Sequence, residues 1–240
     1  MKKDNRKFSL IGILLLLSYV VIAEDFNEFK QTEEQQYKGN VIFDEMVQAI
    51  GDVTQIKNIR TKGITIQPIS QGTLSFPVEV TAVFPDKFKV KFQNKEFIIN
   101  RDKGWIKYSK GYYENLPESY VKIVVGNLNR NLIKLTKSKK YYEILFLADK
   151  EILVKQCYEL LLRNDILEFK LYISKEKKLP LQMLYENNGI IIKRTFLEYK
   201  NIEGIMYPVH TISFDEDAQK ISEIIINEIE INIELDEDEF

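Results

Sequence analysis

Three kinds of side chain in this sequence could take part in chemistry: one histidine, one cysteine and several clusters of carboxylates. His210 lies in a segment with the pattern of a strand, and the chain has no second histidine to complete a metal site. Cys157 has no neighbouring motif that would activate its thiol, so a buried structural cysteine is the simpler interpretation. The sequence therefore predicts no catalytic residue, no metal ligand and no cofactor, and we expect a protein that is not an enzyme.

Charged residues cluster at three further places. Lys87, Lys89 and Lys91 alternate along one predicted strand, where they either keep an edge strand soluble or bind a phospholipid headgroup. The carboxylates of residues 215–217 lack the spacing of a calcium-binding loop and fit a turn. Those of residues 234–239 fit a solvated tail that could contact a basic partner.

Residues 1–23 have the pattern of a secretory signal peptide. Basic residues precede an apolar run over residues 8–22, and Ala23 completes a small-residue cleavage site. An uncleaved anchor is the alternative, although this run is shorter than the roughly 20 residues that span a bilayer. The leader holds four of the 34 basic and one of the 36 acidic residues, which leaves 30 basic and 35 acidic groups. The resulting charge of −5 excludes nucleic acid as an expected partner.

An alternation of apolar and polar residues with a period of two dominates the rest of the chain. Residues 73–84 place apolar side chains at even positions, and residues 88–92 repeat the pattern against the three lysines. Asn187-Asn188-Gly189 predicts a hairpin turn. The last strand, residues 220–234, changes phase, which predicts a β-bulge near Asn227.

Two helices interrupt the strands. We expect residues 24–38 to be a loose polar segment, after which Asn40 caps a helix that ends at Gly51. A second helix is expected to start near Pro117 and to continue unbroken to about Leu135. Because the strands follow one another as hairpins, the sheet should be antiparallel. We predict a mainly β (α+β) fold in which residues 24–240 form one domain: a single large curved antiparallel sheet of about 10–11 strands, an unclosed half-barrel, with about two helices over its concave face.

The apolar face of such a sheet is the candidate binding site. The protein's own side chains and helices either fill the hollow completely or leave a groove that takes an acyl chain or another apolar ligand. The sequence leaves both options open. The candidate groove residues come from the early strands and from one later strand: Leu74, Phe76, Val78, Val80, Phe88, Val90, Phe92, Phe169 and Leu171.

Several motifs, in order along nearly all of residues 24–240, resemble the LolA-like family of periplasmic outer-membrane lipoprotein carriers and sorting proteins. The most specific is the segment YKNIEGIMYP at residues 199–208. Weaker matches are the segment FPDKF at residues 84–88, the Gly104-Trp105 turn, and Leu171-Tyr172-Ile173 followed by Leu179-Pro180. The resemblance implies a half-barrel covered by helices, and binding of lipidated or otherwise apolar cargo in the periplasm of a diderm bacterium.

Three functions follow as hypotheses. The first is a periplasmic carrier or chaperone, expected to be a monomer, that binds acyl chains of lipids or lipoproteins and contacts a membrane or an envelope protein transiently. The second is a non-catalytic interaction or scaffold protein of the envelope, with a filled core and an edge strand or acidic tail for docking. The third is a hydrolase that acts through His210.

Overall fold

The described part of the chain is built around one 13-stranded sheet. In the computed structural model, residues 32–109, 111–236 and 240 are described. The predicted signal peptide therefore lies outside the described residues. The strands are β1 Asn58–Ile69, β2 Gly72–Val83, β3 Lys87–Phe92, β4 Lys95–Asn100, β5 Lys103–Tyr108, β6 Tyr113–Asn115, β7 Glu143–Ile152, β8 Lys155–Arg163, β9 Glu168–Ser174, β10 Pro180–Asn187, β11 Ile190–Ile202, β12 Ile205–Phe214 and β13 Lys220–Ile231.

The order of the strands leaves the sheet open. It runs β6-β5-β4-β3-β2-β1-β13-β12-β11-β10-β9-β8-β7, and neighbouring strands are antiparallel throughout the described sheet. The two edges are β6 and β7, which are consecutive strands in the chain, so the connection between them must cross the whole sheet. The predicted fold class, an unclosed and mainly antiparallel β structure, is confirmed, with β1 and β6 added to the strands that the pattern indicated.

The first helix, α1, covers residues 32–50 and is longer than the sequence predicted. Asn40 is not its N-cap: it lies inside the helix and donates from Nδ2 to the carbonyl of Gln36 at 2.8 Å. The expectation of a loose segment is therefore wrong for residues 32–38, and residues 24–31 lie outside the described residues. The buried face of α1 consists of Ile42, Phe43, Met46 and Ile50.

The connection from β6 to β7 contains two short helices instead of the single helix predicted. Helix α2 spans Glu118–Asn129 and α3 spans Leu132–Lys137, followed by a 3-10 turn over Lys139–Tyr141. The break occurs because the side chain of Asn131 accepts from the backbone N–H groups of Ile133 and Lys134, which starts a new helix. No helix in the described part of the chain has the length and apolarity needed to cross a membrane.

Helix α1 and the two helices of the β6–β7 connection pack on the same face of the sheet. The main core joins α1 and α3 to strands β7–β12 and also includes Ile59 of β1 and Ala82 of β2. A smaller cluster joins α2 to β4, through Val121 and Ile99. The opposite face carries its own small cluster around Cys157. The helix-bearing face is the one on which the candidate groove residues lie.

Candidate functional site: an apolar face only partly covered by helices

The register of β2 and β3 brings the early candidate residues onto one surface. Val78 lies opposite Phe92, Val80 opposite Val90, and Ala82 opposite Phe88. Directly opposed residues in an antiparallel pair point to the same side of the sheet, so these six side chains share a face. Ile99 continues the row of Ala82 and Phe88 on β4. Because Ile99 packs against Val121 of α2, this is the face that the helices cover.

Helix α2 covers only one end of these strands. Ala82, beneath the helices, is 2% exposed, whereas Leu74, at the far end of β2, is 44% exposed. Between them the side chains are half-buried, and the rings of Phe76 and Phe92 meet edge to face with centroids 4.4 Å apart. We call this surface the uncovered face and define it by Phe76, Val78, Val80, Val90 and Phe92. Leu74 lies at its margin, and Phe88 lies at the edge of the packed core.

The two later candidates occupy a different environment. Phe169 and Leu171 are fully buried in the main core, within the cluster that α1 completes. The structure therefore does not bring them together with the uncovered face on one open surface. The protein's own side chains fill the hollow in the half of the sheet that contains β9. In the half that contains β2 and β3 they leave the apolar face partly exposed.

The alternating lysines of β3 point away from the uncovered face. Lys87 and Lys89 have their Nζ atoms 5.8 and 5.5 Å from the ring centroid of Phe240. Lys89 is buried, whereas Lys91 is exposed. Strand β3 lies between β2 and β4, so the expectation that these lysines keep an edge strand soluble is wrong. Their face of the strand receives an aromatic ring from the C-terminal segment.

His210 and Cys157, the two residues best suited to chemistry, have surroundings that fit a structural role. Nε2 of His210 lies 2.7 Å from Oε1 of Glu223 on the next strand. The pKa of Glu223 is lowered, first by its hydrogen bond from Lys220 and then by that from His210. Burial raises the pKa of the Cys157 thiol, which disfavours the reactive thiolate. Among the described residues, no group of three histidine, cysteine or acidic side chains is arranged to hold a metal ion.

The segments that carry the family resemblance contact one another or the helical crossover. The hydroxyl of Tyr199 donates to the carbonyl of Pro180 at 2.8 Å. Tyr207, from the same motif, receives a hydrogen bond from Asn131 at the break between α2 and α3. Burial raises the pKa values of both phenols. The motif therefore anchors the helical crossover to β12 and β11 to β10.

Sequence reasoning did not single out Arg130, which follows α2 and is only 4% exposed. It lines a cavity of about 430 Å³ near the turn between β8 and β9. A second cavity, of about 490 Å³, lies along α2 and shares Ile166 and Leu167 with the first. An arginine after a helix is common in sequences, so only its burial in the folded structure marks it as unusual.

No protein-family model and no curated protein sequence matches this chain. Several solved structures match the fold of this chain. A DUF1329 family protein from Desulfovibrio piger superimposes with a TM-score of 0.63 at 12% identity, over 82% of this chain and 95% of that one. A domain named as an outer membrane lipoprotein-sorting protein, from Vibrio parahaemolyticus, gives 0.61 at 14% identity, over 84% and 95%. A LolA superfamily protein from Nitrosomonas europaea gives 0.62 at 12% identity, over 82% and 94%. Together with the open antiparallel sheet and its helical cover, these likenesses show that the chain has a LolA-like fold.

Proposed function

We propose that this protein is a carrier or chaperone that holds acyl chains of lipids or lipoproteins against the uncovered face. The observation that carries the proposal is the contrast along β2, from fully buried Ala82 to half-buried Val78 and Phe76 and exposed Leu74. A continuous apolar surface that its own protein leaves partly exposed is typical of a surface that another molecule covers.

Burial of apolar area supplies the binding energy. Each Å² of apolar surface removed from water contributes roughly 25 cal/mol, whether the covering group is a side chain or an acyl chain. The five side chains of the uncovered face and the methylene groups of a lipid would both lose contact with water. This mechanism needs no directed chemistry, so binding is reversible and tolerant of different acyl chains.

The helical crossover provides a means of release. Helix α2 lies beside the uncovered face, and the chain from β6 to β7 passes over the sheet without joining its hydrogen-bond ladder. A shift of α2 would extend or shrink the apolar surface next to it. We place this activity in the periplasm, where residues 1–23 would direct the chain, and we expect a membrane or envelope protein to receive the cargo.

A matched pair of variants on β3 tests the proposal. Phe92→Gln replaces an apolar side chain of the uncovered face, and Lys91→Gln makes the same product one residue away on the opposite face. Purified protein is delipidated, incubated with monoolein, and examined by native mass spectrometry and by displacement of a fluorescent fatty acid. We expect Phe92→Gln to lower lipid occupancy several-fold and Lys91→Gln to bind like the unaltered protein. Equal binding by both variants, or no lipid uptake by the unaltered protein, would contradict the carrier function.

One observation favours a non-catalytic interaction or scaffold protein as the second candidate. Phe169 and Leu171 show that the hollow beneath α1 is filled, so this half of the sheet offers no room for a ligand. In that case the uncovered face would bind a protein. A partner that binds the delipidated protein stably, and is lost with Phe92→Gln while monoolein never binds, would support this candidate.

A further inference from the structure

Arg130 is a buried cation without an opposing carboxylate. Its guanidinium carbon lies 4.0 Å from the ring centroid of Tyr185, and Nη2 makes a 3.3 Å hydrogen bond to the side-chain oxygen of Asn127. On its other side it packs over Gly126, since a methyl group there would lie 3.3 Å from Nη2. Its Nε–H is buried and has no hydrogen-bond partner among the described residues. Buried charges in proteins are ordinarily paired, because desolvation of an unpaired charge is costly.

A second arginine lies on the same aromatic ring. Arg194 of β11 donates from Nη2 to the hydroxyl of Tyr185 at 2.8 Å, and its guanidinium carbon is 5.3 Å from the ring centroid. Its Nε–H is also buried and unmatched within the described part of the chain. Neither arginine forms an ion pair with a described residue, so two like charges share one phenol ring. Burial and the nearby Arg194 lower the pKa of Arg130 to about 10, with burial the larger cause, so it remains a cation at neutral pH.

The surroundings of Arg130 leave room for a ligand. The 430 Å³ cavity that it lines is bordered by the apolar side chains of Ile166, Leu167 and Phe169. The other charged residues around it are Glu168, Lys170 and Glu186, and both glutamates are exposed whereas Arg130 is buried. The adjoining 490 Å³ cavity along α2 is lined mainly by apolar atoms, including those of Val121 and Val125. A cavity lined by both charged and apolar side chains and a mainly apolar cavity thus share residues 166–167.

We propose that Arg130, supported by Arg194, binds a single oxyanion, either a phosphate or a carboxylate group, within the 430 Å³ cavity. Arg130 lines this cavity and has no carboxylate partner among the described residues, so an oxyanion bound there would pair with its guanidinium group. Charge-assisted bonds to an arginine are the strong ones in proteins. The adjoining apolar cavity gives the oxyanion a preferred source, the headgroup of an amphiphile whose tail lies along α2. This subsite is separate from the uncovered face.

A headgroup comparison tests the subsite. Lysophosphatidic acid and monoolein with the same oleoyl chain differ only in the phosphate, and inorganic phosphate serves as the third probe. Affinities are measured by fluorescent fatty acid displacement and calorimetry for the unaltered protein, Arg130→Met, Arg194→Met and the control Lys62→Met. Lys62 is an exposed cation on β1 that pairs with Glu228, so its variant removes the same charge elsewhere.

We expect lysophosphatidic acid to bind about tenfold or more tightly than monoolein, and the difference to disappear in Arg130→Met but persist in Lys62→Met. Binding of inorganic phosphate that is lost in Arg130→Met would support a free anion as the source instead. If Arg130→Met fails to fold, the Nε–H resonances of Arg130 and Arg194 in the unaltered protein are followed by NMR, and a shift on adding either anion supports the subsite. Equal affinities for both lipids in the unaltered protein, with no resonance shift, would overturn it. That result would leave the carrier proposal intact, because Phe92→Gln alters the uncovered face and leaves Arg130 unchanged.

Discussion

Two helical glycines allow a sharp test of how tightly α1 and α2 pack. A methyl group at Gly39 in α1 would lie 2.6 Å from the carbonyl oxygen of Ile144 and 2.8 Å from the amide nitrogen of Phe146. Both atoms belong to the backbone of edge strand β7 and cannot move aside individually. A methyl group at Gly126 in α2 would instead meet the end of the flexible Arg130 side chain at 3.3 Å.

The expected free energies have opposite signs. Alanine is better than glycine inside a helix by about 1 kcal/mol, which favours both substitutions equally. Overpacking against a rigid neighbour costs about 1–3 kcal/mol, and this cost applies only to Gly39→Ala because α1 must move away from β7. We therefore expect Gly39→Ala to lower the free energy of unfolding by up to about 2 kcal/mol and Gly126→Ala to raise it by up to about 1 kcal/mol.

Chemical denaturation and differential scanning calorimetry measure both variants. For a chain of this size 1 kcal/mol corresponds to about 2–4 °C in Tm, so the two should differ by several degrees. Circular dichroism establishes that both variants keep the sheet. If Gly39→Ala is as stable as Gly126→Ala or more so, α1 does not pack against the β7 backbone as described, and the filled half of the hollow is not held as we argue.

Two further predictions concern the crossover and the outer face of the sheet. Asn131→Ala removes the cap that begins α3 and the hydrogen bond to Tyr207, and should lower the free energy of unfolding by about 0.5–2 kcal/mol. The control Asn40→Ala, in the interior of α1, should be neutral or stabilising. An equal loss of stability in both variants would contradict the capping role of Asn131. Burial, and then Glu159, raise the pKa of Tyr172 to about 12, above the value near 10 of an unfolded tyrosine. The contribution of neutral Tyr172 is therefore fully present below pH 10 and is lost as the pH rises towards 12. Tyr172→Phe should flatten the fall of Tm over that range, whereas Tyr141→Phe, at an exposed position, should not; melting curves from pH 9 to 12 would show parallel falls if the reasoning is wrong.

The sequence predicted the strands whose core-facing side is apolar and missed those whose core-facing side is not. The even positions of β2 marked it clearly, and the change of phase at Asn227 correctly indicated a bulge, since Lys62 pairs with Glu228 and Gly63 with Ile226. Strand β1 was not predicted because Gly63 and Thr65 occupy the positions that face the same way as Val78 and Phe76. Small and hydroxyl-bearing residues at these positions weaken the apolar–polar alternation from which a strand is predicted.

The sequence likewise predicted only part of the candidate site. The period-two pattern identifies the residues that share a face, and the five residues of the uncovered face do share one. The pattern does not say which part of that face a helix covers, because this depends on where the crossover passes. It also could not single out Arg130, whose burial depends on Tyr185, a residue 55 positions further along the chain.

The pairing of β1 with β13 has a consequence for the order of events during synthesis. The two strands are neighbours in the middle of the sheet, yet the bond from Lys62 to Glu228 joins residues 166 positions apart. Until the last strand has emerged, β1 and β12 each present an unpaired edge to their surroundings, and such edges invite association between chains. A chain that ends before residue 220 would therefore contain two separate half-sheets, each with an unpaired edge strand where β13 would have joined them.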